Sequence, residues 1–410
     1  MNYFDDIRPV NNDEIAENLQ SLLSDPSFVH LIKTYFPMVN LDQIAQASSR
    51  FSNLVEFQNM VIRPILEALI STSATSLTVS GEEHISSLPT LFISNHRDIV
   101  MDPSLLALSI MRTTGTTCEI AIGDNLLASE WIRTLVRLNR CFIVKRGLSP
   151  RDMAKSFMQL SSYIRYAITE KNVSAWIAQR EGRAKDSNDR TQESLIKMFA
   201  LSGKADFIEN LKSLNLSPLA ISYEFDPCDY LKAAEFQLKR DNADYKKSKN
   251  DDLLSMQTGI TGYKGRIHYA FTPCINSKLD EIAQNCTNKK EQAAAVCAAI
   301  DAQIHSAYQL YAINRWAYEQ LTGDTQYATV DGADERAMAE KYLRGQLTKI
   351  NIPNKDEEYL WHKLLEMYAN PFINAQSTMH NAQCIMHNAQ LYSIYSSYIF
   401  YCLYSLYIFL

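Results

Sequence analysis

The stretch Leu-Phe-Ile-Ser-Asn-His-Arg-Asp-Ile-Val-Met-Asp-Pro, residues 91–103, joins an apolar run to a helix start. The apolar run has the composition of a buried strand. Asp102 followed by Pro103 predicts a helix N-terminus, because an Asp side chain caps free N–H groups and a proline fits the first helical turn. The polar residues between them, His96 included, are therefore expected in a tight loop that leaves a strand and enters a helix.

Short β-rich runs alternate with amphipathic segments on both sides of this stretch. We expect strands at residues 76–80, 90–94, 118–122, 141–144, 173–177 and 219–223, with a further candidate at 266–271. We expect helices at residues 102–113, 125–138, 150–169, 189–201 and 289–312. This alternation predicts an α/β fold with a mixed, partly parallel sheet flanked by helices. Function in such sheets gathers at the carboxyl ends of strands, where His96 lies.

The chain divides into four predicted regions. An N-terminal helical region (1–74) carries an apolar stripe that Pro64 interrupts, so the stripe is one kinked helix or two short ones. An α/β domain (75–230) and a mostly helical C-terminal elaboration (231–373) follow. The last region (374–410) repeats Asn-Ala-Gln-x-x-Met-His and then places tyrosine at every third position, so we interpret it as a non-functional extension, with membrane contact as the alternative.

Charge and cysteine usage narrow the class of protein. The net charge is −6, but residues 130–190 hold 13 Lys and Arg against 6 Asp and Glu, which favours an anionic partner. The eight cysteines form no Cys-x-x-Cys pair and the N-terminus lacks a signal-peptide pattern, which indicates a reducing, cytoplasmic setting. No histidine spacing outside the repeats suits a metal. We expect no metal, no cofactor and no nucleic-acid partner.

His96 is the candidate catalytic residue. A histidine beside a carboxylate can remove a proton from a hydroxyl with one ring nitrogen while the carboxylate orients the other. Asp98 and Asp102 both lie within reach in the loop. The residues alone do not choose between them, although a side chain that points into the loop from the helix cap is the stronger orienter.

The motif Asn-His-Arg-Asp-Ile-Val-Met-Asp-Pro resembles the first motif of the glycerolipid acyltransferase superfamily, which includes glycerol-3-phosphate and 1-acylglycerol-3-phosphate acyltransferases. In that family four residues separate the His from the Asp, whereas five separate His96 from Asp102 here. The resemblance implies that Asp102 orients His96, with Asp98 as the second candidate.

A second block, Cys-Phe-Ile-Val-Lys-Arg-Gly (141–147), resembles the family's strand that ends in a phosphate-binding arginine. By that resemblance Arg146 is the phosphate ligand and Lys145 a helper. The chemistry agrees, since a guanidinium pairs with two phosphate oxygens at once.

A third block, Trp-Ile-Ala-Gln-Arg-Glu-Gly-Arg-Ala-Lys (176–185), is similar to the family's Glu-Gly-Thr-Arg motif but lacks the Thr. The resemblance implies that Glu181, Gly182 and Arg183 bind the acceptor. A glycine lets the backbone approach an anion closely.

A fourth block, Leu-Ser-Pro-Leu-Ala-Ile-Ser (216–222), resembles the strand that helps to form the family's acyl pocket, which would place Pro218 at that pocket. Each block is degenerate alone. The four blocks in family order are much more specific, and they span about residues 75–225.

The resemblance implies direct transfer of a fatty acyl group from an acyl carrier protein or coenzyme A thioester to a hydroxyl of a lysophospholipid or glycerol phosphate, in phospholipid synthesis. Backbone N–H groups at the helix start, or nearby polar groups, would stabilise the oxyanion. We expect peripheral contact with the cytoplasmic membrane, with the helix around Trp131 as a cationic amphipathic candidate and a core helix as its alternative. The altered motif spacing leaves open a non-catalytic lipid- or carrier-binding protein on the same scaffold.

Overall fold

A computed structural model of the chain describes residues 3–37, 39–85, 88–127 and 129–380. One seven-stranded sheet organises the molecule, and it confirms the predicted α/β class. The strands are β1 (Ser76–Ser80), β2 (Leu91–Ser94), β3 (Glu119–Gly123), β4 (Cys141–Val144), β5 (Ala175–Ala178), β6 (Ser217–Tyr223) and β7 (Arg266–Phe271).

The sheet is mostly parallel, in the order β1-β7-β6-β2-β5-β3-β4. The pairs β1/β7, β6/β2, β2/β5, β5/β3 and β3/β4 are parallel, and β6/β7 is antiparallel. Strand β2 lies at the centre, and its four residues are fully buried. The carboxyl end of β2 therefore opens in the middle of the sheet edge, where both flanking layers can reach it.

Helices cover both faces of the sheet and form a layer at each end of the chain. They are α1 (Ile15–Ser24), α2 (Pro26–Tyr35), α3 (Leu41–Ala47), α4 (Leu54–Phe57), α5 (Arg63–Ser73), α6 (Met101–Thr114), α7 (Glu130–Leu138), α8 (Pro150–Thr169), α9 (Glu193–Phe199), α10 (Phe207–Lys212), α11 (Asp229–Asp241), α12 (Lys249–Thr261), α13 (Asn276–Asn285), α14 (Lys289–Ser306), α15 (Ala312–Thr322), α16 (Ala333–Lys349) and α17 (357–380). Three predicted helices are shorter than expected, and one of them, predicted at 189–201, is α9 (Glu193–Phe199). α7 begins only at Glu130, and α14 ends at Ser306.

The apolar stripe around Pro64 is two helices joined by a π-helical turn, Gln58–Ile62. Pro64 lies in the first turn of α5, where a missing N–H costs nothing. α4 joins α1 and α2 in an apolar cluster to which Leu138 of α7 also belongs, whereas Leu66 of α5 packs in the cluster on the sheet. The N-terminal region is thus a helical layer packed against the α/β domain.

The C-terminal region is more than a helical elaboration, because it supplies strand β7 to the sheet. β7 pairs with β6 on one side and β1 on the other. The apolar cluster of α11, α15, α16 and α17 packs next to it. The boundary predicted at residue 374 falls inside α17, whose Phe372 and Ala375 are both buried, and the tail beyond residue 380 lies outside the described residues.

Within the part of the chain that the structure describes, no helix combines the length and the apolarity that crossing a bilayer needs.

Candidate active site

The loop after β2 is fixed to the neighbouring strand by Asn95. Its side-chain amide donates to the Ile221 carbonyl and its side-chain oxygen accepts from the Ile221 N–H, both over 2.8 Å. These two bonds continue the β2/β6 pairing through a side chain, so the chain can turn away at the next residue. His96 is that residue, held at a defined place on the sheet edge.

His96 is paired with Asp102. The His96 Nδ1 lies 2.7 Å from Asp102 Oδ2, and Asp102 is completely buried. Because a carboxylate only accepts, Nδ1 carries the hydrogen and Nε2 is left with its lone pair. The rings of Trp176 and His96 pack in a T-shaped arrangement, with their centroids 5.7 Å apart. The geometry therefore selects Asp102, of the two predicted carboxylates, as the partner of His96.

The prediction that Asp102 caps the helix is wrong, because α6 already begins at Met101 and Asp98, not Asp102, binds the free N–H groups at its start. Asp98 Oδ1 accepts from the N–H groups of Val100 and Met101 over 2.9 and 2.8 Å, and α6 starts at Met101. Asp102 lies inside the first turn, where side chains tilt back towards the helix N-terminus. Its Oδ2 also accepts from the Arg97 and Asp98 N–H groups over 2.6 and 3.0 Å. The loop wraps around this one oxygen, which accommodates the extra residue.

The pKa values of the two aspartates are shifted in opposite directions. Burial raises the pKa of Asp98, and the charge of Asp102 raises it further. Burial alone would also raise the pKa of Asp102, but the bonds from His96 and from backbone N–H groups hold it below its ordinary value. The N–H groups of Arg97, Asp98, Val100 and Met101 are thus occupied by carboxylates, so an oxyanion would need other donors than these four.

Arg97 has a structural role next to His96. Its guanidinium forms two bonds to the Asp189 carboxylate, over 2.8 and 2.5 Å, and both side chains are buried. Asp189 also accepts from the Tyr308 hydroxyl over 2.5 Å. A bidentate pair of this kind restricts the Arg97 side chain, so it anchors the main chain of the loop next to His96.

His96 faces a cavity of about 960 Å³. Apolar side chains of α1, α2, α5, α7 and α12 form much of its wall, and His96, Trp176 and several cations lie on it. Such a volume is at the upper end of the range of about 300–1,000 Å³ for small-molecule sites. Mostly apolar walls with a cluster of charged groups suit a ligand with a long apolar part and an anionic head.

Arg146 and Arg183, the two predicted phosphate ligands, both line this cavity. Arg146 Nε lies 3.7 Å from Glu181 Oε1, and the Glu181 side chain is 67% exposed, so their ion pair is loose. Arg146 lies across Gly123, where an added Cβ would meet its guanidinium at 2.8–2.9 Å. Arg183 Nη1 is buried and has no hydrogen-bond partner among the described residues. Both arginines can therefore accept an anionic ligand without breaking a strong bond.

The other predicted binding residues differ in their position relative to the cavity. Gly182 has a φ of 69°, the left-handed conformation that a glycine adopts without strain, and it lines the cavity. Lys145 also lines it but is bonded to Asp6 and Gln159. Pro218 is buried within β6 beside Ile93 and is not a cavity residue, because it lies at the amino end of the strand.

Two cavity residues that adjoin the predicted site residues were not identified from the sequence. Arg180 immediately precedes the predicted Glu181 and lies on the same wall. The only signal in the sequence is a second arginine within the third block. Trp176 looks like an ordinary strand residue, and nothing in the sequence marks its contact with His96.

The apolar side of α7 faces inward. Trp131, Ile132 and Leu135 line the cavity, and the Trp131 ring packs against Phe28 of α2 at 6.0 Å between centroids. Arg137 donates to the Arg8 carbonyl over 2.9 Å. Of the two interpretations of this helix, the structure supports the one in which it is part of the core.

The fold and the site together define an α/β enzyme with a histidine–carboxylate pair that faces an apolar cavity. Residues 76–210 match the model of a family described as Acyltransferase. The matched segment contains His96, Arg146 and Arg183. The chain therefore contains an acyltransferase domain in the region where its motifs predict one.

Comparison with curated proteins found no match. Among solved structures, the chain is similar to the 1-acyl-sn-glycerophosphate (LPA) acyltransferase PlsC from Thermotoga maritima, with 11% sequence identity and a TM-score of 0.35. The similarity covers 71% of this chain and 97% of that chain. A likeness at this level supports no argument of its own.

Proposed function

We propose that the protein transfers a fatty acyl group from a thioester, on acyl carrier protein or coenzyme A, to a hydroxyl of a phosphate-bearing glycerolipid acceptor, 1-acylglycerol-3-phosphate in the first place. The observation that carries the proposal is the His96–Asp102 pair, 2.7 Å apart, on the wall of an apolar cavity that arginines also line. The family match supports acyl transfer, and the proposal adds the substrates and the residues.

His96 acts as the general base. Its Nε2 takes the proton of the acceptor hydroxyl while the hydroxyl oxygen attacks the thioester carbonyl. The tetrahedral intermediate collapses with cleavage of the C–S bond, and the leaving thiolate takes the proton back from the imidazolium. Asp102 fixes the tautomer and stabilises the imidazolium between these steps. The ester and the free thiol are the products, and the enzyme returns to its starting state.

Arg146 and Arg183 hold the phosphate of the acceptor. Arg183 has a buried N–H without a partner in the described chain, and Arg146 has only a loose pair with Glu181, so each has donors to offer. A phosphate oxygen satisfies a buried guanidinium donor at little cost, because the site is already positively charged. Lys145 contributes charge only, since its ammonium is occupied by Asp6.

The apolar wall receives the acyl chain. Leu22, Phe28 and Ile32 of the N-terminal layer line the cavity together with Leu253 and Ile260 of α12. Each buried methylene contributes roughly 0.8 kcal/mol, so a fatty chain is bound mainly by this wall. We place the enzyme at the cytoplasmic membrane surface, as a peripheral protein, because its acceptor and its product are membrane lipids.

A panel of acceptors tests the proposal. The full-length protein is assayed with palmitoyl thioesters of coenzyme A and of acyl carrier protein, and with 1-acylglycerol-3-phosphate, glycerol 3-phosphate and 1-acylglycerol in mixed vesicles. We expect transfer to the phosphate-bearing acceptors and at least tenfold lower kcat/KM with 1-acylglycerol. Arg183→Ala should raise the acceptor KM about tenfold, whereas Arg151→Ala, an exposed arginine on α8, should leave it unchanged.

Absence of transfer from either thioester to any phosphate-bearing acceptor would refute the proposal. Equal use of 1-acylglycerol would refute the phosphate-binding role of the arginines.

A further inference from the structure

A buried lysine from the C-terminal region holds the main chain next to His96. Lys232 of α11 donates from Nζ to the Arg97 carbonyl oxygen over 2.9 Å. The same ammonium forms a close ion pair with Asp226, and the Lys232 side chain is only 3% exposed. A buried ammonium is costly unless its charge is paired and its N–H groups are bonded. The Arg97 carbonyl is one of the groups that meet this demand.

One peptide group connects Lys232 to the His96 pair. The Arg97 carbonyl and the Asp98 N–H belong to the same peptide, and that N–H donates to Asp102 Oδ2 over 3.0 Å. The same carboxylate oxygen accepts from His96. Hydrogen bonds in such a chain polarise one another. A cation on the carbonyl therefore makes this N–H a stronger donor to Asp102.

We propose that Lys232 is a positioning residue that tunes the basicity of His96 through the Arg97–Asp98 peptide group. The inference rests on the proposed function, in which His96 is the base. By strengthening the N–H bond to Asp102, Lys232 withdraws electron density from the carboxylate. Asp102 then stabilises the imidazolium less, and His96 releases its proton more easily to the leaving thiolate.

Other charged and titratable groups surround the lysine and must be considered with it. Asp226, in the segment after β6, is its ion-pair partner, and the charge of Asp226 also raises the pKa of Asp229. The thiol of Cys228 lies in the field of Asp98, Asp226, Lys232 and Arg183, and burial raises its pKa. Loss of the Lys232 charge leaves Asp226 unbalanced, so a charge-balanced variant is required.

Loss of Lys232 should shift the midpoint of the acidic limb of the kcat/KM profile in one direction, to higher pH. Without Lys232 the N–H bond to Asp102 weakens, a positive charge near His96 disappears and the Asp226 charge is no longer compensated. Each change favours the protonated imidazole. In Lys232→Met we expect the midpoint of the acidic limb of the kcat/KM profile to rise by roughly 0.5–1 pH unit, and kcat to fall about tenfold, with the acceptor KM within about twofold.

Three variants separate this effect from loss of structure. Lys232→Arg keeps the charge and the donors, and its midpoint should stay at the wild-type pH. Lys232→Met combined with Asp226→Asn restores the charge balance and should still show a raised midpoint. Lys355→Met is the control, because Lys355 of the C-terminal region also donates from Nζ to a main-chain carbonyl, that of Leu347, over 3.0 Å and pairs with a carboxylate, that of Glu357. It should not move the midpoint.

The same midpoints are measured without any substrate by NMR titration of the His96 ring, with the signal assigned from its absence in His96→Ala. This readout survives a failure of the acceptor panel, so the two proposals can fail separately. An unchanged midpoint in folded Lys232→Met, or an equal rise in Lys355→Met, would overturn the inference. If Lys232→Met does not fold, Lys232→Gln, which keeps a donor without the charge, replaces it under the same criteria.

Discussion

The N-terminal helical layer and the C-terminal region both lie outside the matched acyltransferase segment, and they contribute different kinds of contact to the site. The N-terminal layer contributes apolar side chains to the cavity wall, such as Phe28 and Ile65. The C-terminal region adds Leu253 and Ile260 of α12 to that wall, but its distinctive contribution is contact with the His96 loop, through the ammonium of Lys232 and the close packing of Gly259. The difference suggests that one addition selects the lipid and the other adjusts the chemistry.

Substitution of the two loop aspartates should give the largest losses of kcat, against which the effects in both regions can be compared. We expect Asp102→Asn to lower kcat roughly 10³-fold, because the wrong tautomer of His96 would be favoured. Asp98→Asn should lower kcat by about tenfold or less and cost about 1 kcal/mol of stability, since Asp98 caps α6. Steady-state kinetics and urea unfolding of both variants check this. Equal losses of kcat would contradict the assignment of Asp102 as the orienting residue.

Gly259→Ala tests the C-terminal region next. A Cβ at this position of α12 would lie 1.9 Å from Asp98 Oδ2, so the helix or the loop must move. We expect a destabilisation of about 1–3 kcal/mol and a fall in kcat of more than tenfold. Gly345→Ala, where an added Cβ meets no atom within 4 Å, is the control. A kcat within twofold of the wild-type value would show that this packing does not shape the loop.

Ile65→Trp tests the N-terminal layer. The side chain of Ile65 lines the cavity, and an indole there fills part of the space for an acyl chain. We expect kcat/KM for long-chain substrates to fall about tenfold while short-chain substrates change by less than about twofold. Ser71→Trp, exposed on the same helix, should leave chain preference unchanged. A uniform loss for all chain lengths would break the proposed division between the two regions.

The substitution Asp229→Asn should have the smallest effect, and only on the pH dependence of stability. Burial, and then the charge of Asp226, raises the pKa of Asp229 to about 7. At pH 5 the folded protein keeps the proton that the unfolded chain has lost, so stability falls as the pH rises through 7. We expect the wild-type Tm to drop between pH 5 and pH 8 by about 2–4 °C more than that of Asp229→Asn. Parallel pH profiles of Tm would contradict this.

The strands and the cavity arginines could be predicted because they depend on local signals. Apolar runs of four to seven residues mark the strands, and parallel strand ends meet at one edge, which brings His96, Arg146 and Arg183 to the same cavity. Pro218 does not line the cavity, for a related reason. Its motif marks the start of a strand, and the start of a parallel strand lies at the opposite edge of the sheet.

The choice between the aspartates and the role of Lys232 could not be predicted. Both candidates lie near His96 in the sequence, and only the three-dimensional course of the loop shows that Asp98 caps α6 while Asp102 turns back. Lys232 is far from His96 along the chain and belongs to no motif. Its contact with Arg97 arises from how α11 packs on the sheet, which periodicity does not encode.

The most direct test of the central claim is single-turnover acyl transfer by His96→Ala, with His84→Ala as the control histidine outside the cavity. We predict at least a 10³-fold loss of the transfer rate in His96→Ala, with acceptor binding within about threefold of wild type, because the variant lacks only the base. His84→Ala should transfer at the wild-type rate. Transfer by folded His96→Ala within tenfold of the wild-type rate would contradict the account.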